Sequence, residues 1–156
     1  MQKLIVRGYQ AEDIKEIANI YYNTIHIINA KDYTQEQLNA WAPYHDNYSA
    51  WEKKQAKVKT FVAEMESMIV GFGELESNGH IDCFFVHHIF QGLGIGRALM
   101  RAIEREGRRK MLPHLYAEVS STARPFFTNQ GFQVIREETV QPRGVELQLY
   151  LMEKKL

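Results

Sequence analysis

The sequence predicts an α/β sandwich in which helices flank a mixed, mostly antiparallel sheet. Helical periodicity dominates the first third of the chain, β-rich runs separated by short turns fill the middle, and helices alternate with strands thereafter. The predicted order of elements is β-α-α-β-β-β-α-β-α-β-β. The chain has 156 residues, of which 45% are hydrophobic, enough for one ordinary domain with its own core. We therefore expect a single domain over residues 1–156.

The N-terminal third predicts one strand and then helices. The run LIVRGY is typical of a short first strand. From Ile14, apolar residues recur at offsets of 3, 4, 7, 11 and 14, the spacing of an amphipathic helix. The segment DYTQEQLNAWAP predicts a second helix, with Thr34 as its N-cap, Gln37 three residues later and Pro43 beyond its end. The segment NYSAWEKKQAK favours a third, short helix.

The remaining chain predicts six strands and two helices. The runs TFVAEM, SMIVGFGEL and HIDCFFV are typical of an antiparallel meander, and an Asn-Gly turn precedes the third run. A helix is expected from about Gly96 to Lys110, followed by the strand LYAEV. The segment TARPFFTNQ predicts a short helix that Gly131 ends. The runs FQVIREETV and VELQLYLMEK form the last two strands.

Composition restricts the partners and the compartment. The 19 basic and 19 acidic side chains cancel, which argues against bulk electrostatic binding to nucleic acid or membrane. The only cysteine, Cys83, cannot form an internal disulfide, as suits a reducing compartment. The N-terminus has no apolar signal-peptide core, and no run approaches 18 apolar residues. We expect a soluble cytoplasmic protein, a monomer or homodimer, with no nucleic-acid or membrane partner.

The stretch VHHIFQGLGIGRALM is the strongest local signal for ligand binding. Gly92, Gly94 and Gly96 immediately precede a predicted helix, where free N–H groups and the helix dipole favour an anion. A Walker loop requires Gly-Lys-Ser/Thr at its end, which is missing. A dinucleotide loop requires G-x-G-x-x-G in a parallel βαβ unit, whereas this loop reads G-x-G-x-G after an antiparallel meander. A glycine-rich turn that only begins a helix remains an alternative.

Two segments together resemble the GNAT superfamily of acyl-CoA-dependent N-acetyltransferases. FFVHHIFQGLGIGRALM resembles motif A, roughly L-x-V-x-P-x-x-[RQ]-G-x-G-[IV]-G-x-x-L, with His88 in place of the proline. SSTARPFFTNQGF resembles motif B, roughly N-x-x-A-x-x-F-Y-x-x-x-G-F, with Ser120 and Phe127 in place of the asparagine and the tyrosine. The element order also matches, and DYTQEQLNAWAP is similar to the corresponding segment of YafP-like bacterial members.

The resemblance implies acetyl-CoA as acyl donor, and no metal. In such proteins the motif-A loop holds the pyrophosphate of coenzyme A through backbone N–H groups. The pantetheine arm lies between two splayed strands, which correspond here to HIDCFFV and LYAEV. Arg101 and Arg124 are expected to add positive charge near the phosphates. The residues expected to bind the donor are Phe84, Val86, Gln91, Gly92, Leu93, Gly94, Ile95, Gly96, Arg97, Ser120, Ala123, Phe126 and Phe127.

Three residues of the meander are candidates for the general base. His80 and Asp82 share strand parity with Phe84, so we expect them on the side of the acyl group, and Glu74 lies near the end of the preceding strand. Asp82 is a carboxylate in an otherwise apolar strand, which requires a partner or a role. His80 is also typical of a residue that caps the Asn-Gly turn, and Glu74 of an exposed strand end.

Phe127 has no proton to donate where many GNAT enzymes use a tyrosine. We hypothesise that Phe127 packs against the pantetheine arm and that no tyrosine acid operates there. Another group then protonates the thiolate, or the thiolate takes a proton from water.

The first two helices and the segment NAKDYTQEQLNAWAPYH are expected to supply the acceptor pocket, in which His26, Tyr33, Trp41 and Tyr44 suit an aromatic or small amphipathic amine. A role of Trp41 and Tyr21 in the core is the alternative. His87 and His88 do not suggest a metal, because adjacent residues of a strand point to opposite faces.

The predicted function is therefore acetyl transfer to an amine of a small molecule or protein by direct attack on the thioester. The alternatives are a catalytically idle GNAT-fold sensor of acyl-CoA and a nucleotide-dependent enzyme of another class.

Overall fold

Two antiparallel sheets flanked by helices make up the computed structural model, which describes residues 3–44 and 47–156. The first half contains β1 (Leu4–Gly8), α1 (Ile14–Ile27), α2 (Gln35–Trp41), α3 (Ser49–Gln55), β2 (Lys59–Met65), β3 (Met68–Leu75) and β4 (Ile81–Val86). The second half contains α4 (Ile95–Arg109), β5 (His114–Val119), α5 (Arg124–Asn129), β6 (Gln133–Val140) and β7 (Leu147–Lys155). The predicted class and order are confirmed, and α3 adds the third short helix.

The two sheets meet where β4 and β5 begin. The strand order is β1-β2-β3-β4 in the first sheet and β5-β7-β6 in the second. A single parallel bridge pairs His80 with Tyr116, whose N–H donates to the carbonyl of Gly79 at 3.0 Å. Gly79 has φ +98°, and a Cβ there would collide with the carbonyl of His114, so a glycine is required at this contact. Beyond the bridge the strands separate and leave a V-shaped gap.

Helices cover both faces of the first sheet. On one face, Ile17 of α1 and Trp51 of α3 pack against Phe72 and Cys83. On the other face, α4 packs against β3 where the strand carries glycine, and a Cβ at Gly73 would lie 2.8 Å from Ile103 Cδ1. These layers place α1 and α3 on one side of the gap and α4 on the other. No helix in the described residues is long and apolar enough to cross a membrane.

Candidate active site

The gap between β4 and β5 opens into a cavity of about 830 Å³. One wall is formed by residues 81–85 of β4 and the opposite wall by residues 117–120 at the end of β5. Side chains from α1, α2, α3 and α5, from β6 and β7, and from the turn between those two strands also line it. A cavity of this size fits a substrate. An extended ligand could form hydrogen bonds with the free edge of β4.

The free edge of β4 presents the backbone groups of Phe84 and Val86. The N–H of His87 donates to the carbonyl of Val70 at 2.8 Å, whereas Val86 faces Gly71 and Phe84 faces Gly73 in the register. Because bonded and non-bonded pairs alternate in an antiparallel ladder, the groups of Phe84 and Val86 point away from β3 and into the gap. This matches the location predicted for the pantetheine arm.

The carbonyl of Val86 already accepts two hydrogen bonds within the protein, so it is not available to the pantetheine arm. It accepts hydrogen bonds from Thr24 Oγ1 at 3.0 Å and from Gln91 Nε2 at 2.7 Å. Both lone pairs are therefore occupied, and only the N–H of Val86 remains for a ligand. The side chain of Gln91 fixes the loop to the end of β4, a role that its position in the motif did not reveal.

The glycine loop leads into α4 with an exposed backbone. Gly92 has φ +76° and Gly94 has φ +82°, and a Cβ at either position would meet nothing within 4 Å. Ala98 N–H donates to the carbonyl of Gly94, so the N–H groups of the preceding first-turn residues are outside the helical ladder. The side chains of Leu93 and Arg97 are exposed, and that of Ile95 is buried in the core. Only the backbone of Ile95 is therefore offered to an anion.

Gly96 has a different role from the other two glycines of the loop. A Cβ on Gly96 would lie 2.9 Å from Phe126 Cε1, closer than packed carbon atoms approach. The missing side chain therefore makes room for α5 against α4. Gly96 therefore has a packing role in addition to the ligand-binding role expected for all three glycines, because its backbone N–H still lies in the first turn of α4.

The most strongly charged part of the cavity wall is a cluster around Lys54 of α3. Lys54 Nζ lies 2.6 Å from Glu74 Oε1, 2.6 Å from Asp82 Oδ2 and 3.3 Å from Cys83 Sγ. Glu74 is completely buried and also accepts a hydrogen bond from Gln55 Nε2 at 2.9 Å. The alternative interpretation of Glu74 as an exposed strand end is therefore wrong.

The Lys54 ammonium lies among three potential metal ligands. Glu74, Asp82 and Cys83 place ligand atoms within 4.8 Å of one another, the one such group in the described part of the chain. Lys54 already supplies one positive charge among these ligand atoms, which opposes the binding of a metal cation at the same place.

Only one of the three predicted bases faces the cavity. Asp82 lies on its wall, Glu74 lies behind Lys54, and His80 lies at the closed end of the gap. His80 contacts Glu118 at 2.5 Å and Glu76 at 2.8 Å. These hydrogen bonds, Glu118 first, raise the pKa of His80 to about 9, so at neutral pH it is protonated and has no lone pair to accept a proton. These positions argue against His80 and Glu74 as the base.

Residues 29–156 match the family model described as the acetyltransferase (GNAT) domain. The chain belongs to the GNAT acetyltransferase family. The match confirms the family and the acyltransferase class predicted from the two motifs. The glycine loop and the segment at α5 both lie within the matched residues.

Relatives with known names or structures agree with this assignment. The uncharacterised N-acetyltransferase YafP of Escherichia coli K12 is 29% identical over 156 residues, covering 99% of this chain and 98% of YafP. The crystal structure of a GCN5-related N-acetyltransferase from Rhodopseudomonas palustris superposes with a TM-score of 0.93 at 30% identity, covering 97% of this chain and 95% of that one. The predicted YafP-like membership of the GNAT family is thereby supported across nearly the whole chain.

More distant GNAT structures share the fold. PaiA N-acetyltransferase from Thermoplasma acidophilum, solved with coenzyme A, has a TM-score of 0.75 at 18% identity, with 99% of each chain covered. YncA from Salmonella typhimurium, solved with acetyl-CoA, has a TM-score of 0.70 at 20% identity, covering 99% of this chain and 94% of YncA.

Motif B of this GNAT chain is built around apolar rings. Ser120 Oγ accepts the N–H of Ala123 at 3.0 Å, so the serine caps the turn before α5 in place of the family's asparagine. Phe126 stacks on Phe84 with ring centroids 5.5 Å apart. Phe127 is only 3% exposed and lies beside the cavity. Of the two arginines expected near the phosphates, Arg124 lies over the ring of Tyr150 and Arg101 lines a separate groove between β1 and α4.

The acceptor side of the cavity differs from the sequence-based expectation. Trp41 lines it, as predicted, but His26 and Tyr33 do not. His26 Nε2 lies 2.7 Å from the carbonyl of Ala42. The Tyr33 hydroxyl donates to the carbonyl of Gln148 and accepts the N–H of Ser121. Both side chains are therefore structural. Tyr44 also lines the cavity, as expected, and the aromatic lining that the prediction missed comprises Tyr21, Tyr22, Tyr48, Trp51 and Phe85.

The orientation of His87 and His88 differs from the sequence-based expectation. Their rings stack with centroids 4.5 Å apart, although adjacent strand residues were expected to point apart. The reason is that β4 ends at Val86 and His88 begins a 3₁₀ turn. Neither histidine belongs to a group of three potential metal ligands in the residues that the structure describes.

Proposed function

We propose that this GNAT chain is an N-acetyltransferase that transfers an acetyl group from acetyl-CoA to an amine of a small molecule or protein by direct attack on the thioester. The observation that carries the proposal is one cavity bounded by both the free edge of β4 and the carboxylate of Asp82. A donor along the strand edge and an acceptor at the carboxylate would share that cavity.

The donor would be held mainly by backbone groups. The first-turn N–H groups of α4 and the open loop at Gly92 and Gly94 suit its pyrophosphate, and the gap-facing groups of Phe84 suit its pantetheine arm. The coenzyme A in PaiA and the acetyl-CoA in YncA support this choice of donor on the same fold. The N–H of Val86 is available to stabilise negative charge on the thioester oxygen, an effect that lowers such barriers by about 3 kcal/mol.

The acceptor must lose protons during the reaction. An alkylamine has a pKa of about 10.4 and reaches the cavity mostly as its ammonium ion. Asp82 would accept one proton, directly or through a water, and the free amine would attack the carbonyl carbon. A C–N bond forms, the nitrogen of the tetrahedral intermediate releases its second proton to water, the C–S bond breaks, and coenzyme A leaves as a thiolate. With a thiol pKa of about 8.5, this thiolate can take its proton from water.

The phenylalanine at position 127 favours a second candidate, an acyl-CoA-binding sensor without catalysis. Its apolar ring occupies the position at which many GNAT enzymes have a tyrosine acid. Such a sensor would bind the donor through the same loop and strand edge and would transfer no acetyl group.

Thiol release from acetyl-CoA, measured across a panel of amines with products identified by mass spectrometry, tests the proposal. We expect Asp82→Asn to lower kcat/KM by about 10²–10⁴-fold, the usual contribution of a general base, without weakening coenzyme A binding. Asp32→Asn is the matched control, because Asp32 pairs with Thr122 outside the cavity. Binding of coenzyme A without acylation of any amine would favour the sensor, and no binding at millimolar concentration would exclude both candidates.

A further inference from the structure

We propose that Lys54 and Glu74 are positioning residues that fix the carboxylate of Asp82 toward the acceptor amine. This inference rests on the proposed function and adds two residues to the same site. Neither residue needs to touch the substrate, because both would act through Asp82.

A continuous chain of polar contacts joins the protein core to the cavity wall. Thr60 Oγ1 donates to Gln55 Oε1 at 2.5 Å, and Gln55 Nε2 donates to Glu74 Oε2 at 2.9 Å. Glu74 Oε1 then pairs with Lys54 Nζ, which pairs with Asp82 Oδ2, both at 2.6 Å. Side-chain exposure rises along this path from 0% at Glu74 to 27% at Lys54 and 36% at Asp82. The contacts therefore connect an immobile, buried carboxylate to one that a substrate can reach.

The charges explain why both partners of Asp82 are needed. Burial by itself lowers the pKa of Lys54, but the carboxylates of Glu74 and Asp82 outweigh that effect and raise it. Lys54 is therefore protonated at neutral pH and is unsuited to serve as the base itself. One ammonium between two carboxylates leaves one net negative charge, and only Asp82 presents it to the cavity. This arrangement suits an acceptor that arrives as an ammonium ion.

The geometry also restricts how Asp82 can move. The ion pair joins Lys54 Nζ to Oδ2 of Asp82 at 2.6 Å. Lys54 is itself held by Glu74 and lies over the ring of Trp51 at 5.2 Å, so it is a fixed anchor. A carboxylate held in this way needs less reorganisation when the amine binds.

A double-mutant cycle separates positioning from a purely structural role. We expect Lys54→Gln to lower kcat at least ten-fold while the Kd of coenzyme A stays within two-fold. If Lys54 acts through Asp82, the same substitution in an Asp82→Asn background should change kcat by less than two-fold. Lys53→Gln, at an exposed lysine of the same helix, is the matched control. An equal loss of kcat in both backgrounds, or no loss in the first, would overturn the proposal.

A second variant addresses folding, because Lys54→Gln leaves the Glu74 charge unpaired in the core. The pair Lys54→Gln with Glu74→Gln removes both charges, keeps the shape of the glutamate side chain and leaves two amide groups that can bond to each other. We expect the Tm of this variant to lie within a few degrees of that of the wild type, and we expect the same ten-fold loss of kcat. Full activity of the pair variant would overturn the proposal.

A measurement without turnover tests the cluster itself. Acetylation of the free protein by an N-hydroxysuccinimide ester, mapped by mass spectrometry, should modify Lys54 at least ten-fold more slowly than Lys53. Asp82→Asn should speed the reaction at Lys54. Equal rates at the two lysines would overturn the positioning role even in an active enzyme. A wild-type chain that acetylates no amine would overturn the proposed function. Because the labelling rates do not depend on turnover, that failure can be distinguished from a failure of the positioning role.

Discussion

At the scale of single residues, Phe127 bears on how a leaving thiolate would be protonated under the proposed function. Its ring centroid lies 5.6 Å from those of Phe84 and Phe126 and 5.1 Å from that of Phe132, so its neighbours are apolar rings. Tyr21 lines the same cavity, but burial raises the pKa of its phenol far above that of a thiol. Tyr21 can therefore donate a hydrogen bond but is a poor source of a proton. Under the proposed function, we therefore expect neither position 127 nor Tyr21 to supply the proton that the thiolate takes up.

Phe127→Tyr should not restore a missing acid. We expect kcat to change by less than ten-fold, because the new hydroxyl enters an apolar cluster that was not built to orient it. An unpaired hydroxyl costs about 1–3 kcal/mol, and each kcal/mol lowers the Tm of a domain of this size by about 2–4 °C. Steady-state kinetics and thermal unfolding measure both effects.

Phe132→Tyr provides the control for this prediction. Phe132 belongs to the same buried cluster but does not line the cavity, so its substitution reports the stability cost alone. A gain in kcat of ten-fold or more in Phe127→Tyr, with none in Phe132→Tyr, would contradict the prediction.

Single residues were predictable where their chemistry disagreed with their local pattern. Asp82 was recognised as a carboxylate in an apolar strand, and the structure supplies the partner that such a residue requires. Lys54 was not recognised, because a lysine near the end of a short polar helix is ordinary. Its importance arises only when α3 packs over β3 and β4. The burial of Glu74 has the same origin, since the sequence does not reveal which helix covers the end of a strand.

At the scale of elements, the junction of the loop with α4 combines two requirements. Gly92 and Gly94 are needed for backbone conformation, and Gly96 is needed for contact with α5. Their regular spacing suggested one common role. The spacing could not distinguish the two roles, because the neighbour of Gly96 is Phe126, thirty positions further along the chain.

Alanine substitutions should separate these roles. Gly96→Ala places a methyl group against the Phe126 ring, and overpacking of this kind costs about 1–3 kcal/mol. Gly94→Ala forces a side chain into left-handed backbone, a strain of about 1 kcal/mol. Phe126→Ala should relieve the first cost and leave the second unchanged. Urea unfolding of the single and double variants provides the free energies of unfolding. If Phe126→Ala adds to the effect of Gly96→Ala just as it adds to that of Gly94→Ala, the assignment of two different roles is contradicted.

At the scale of the whole molecule, the two sheets join at one end and separate at the other. Short contacts at Gly79 and between His80 and Glu118 close one end, whereas the opposite end leaves β4 with an unpaired edge. The resemblance predicted that these strands splay, and the structure agrees. The acceptor wall was less predictable, because it is assembled from side chains of α1, α2 and α3 that meet only in the folded chain.

The unpaired edge of β4 predicts an alternating pattern of amide hydrogen exchange. The N–H groups of Phe85 and His87 face β3, so they should exchange slowly in the free protein. Those of Phe84 and Val86 face the gap and should exchange faster. Coenzyme A should slow exchange at Phe84 and Val86 at least ten-fold, because its pantetheine arm would occupy that edge, and should change Phe85 little.

ADP is the matched control ligand for this experiment, since it carries a pyrophosphate but no pantetheine arm. We expect ADP to slow exchange in the first turn of α4, at Ile95 and Gly96, without protecting Phe84 or Val86. Exchange followed by two-dimensional NMR resolves these amides individually. Protection of Phe84 and Val86 by ADP alone, or none by coenzyme A, would show that the arm does not lie along β4. The thioester would then lie elsewhere than beside Asp82, and the alignment of donor and base on which acetyl transfer depends would be lost.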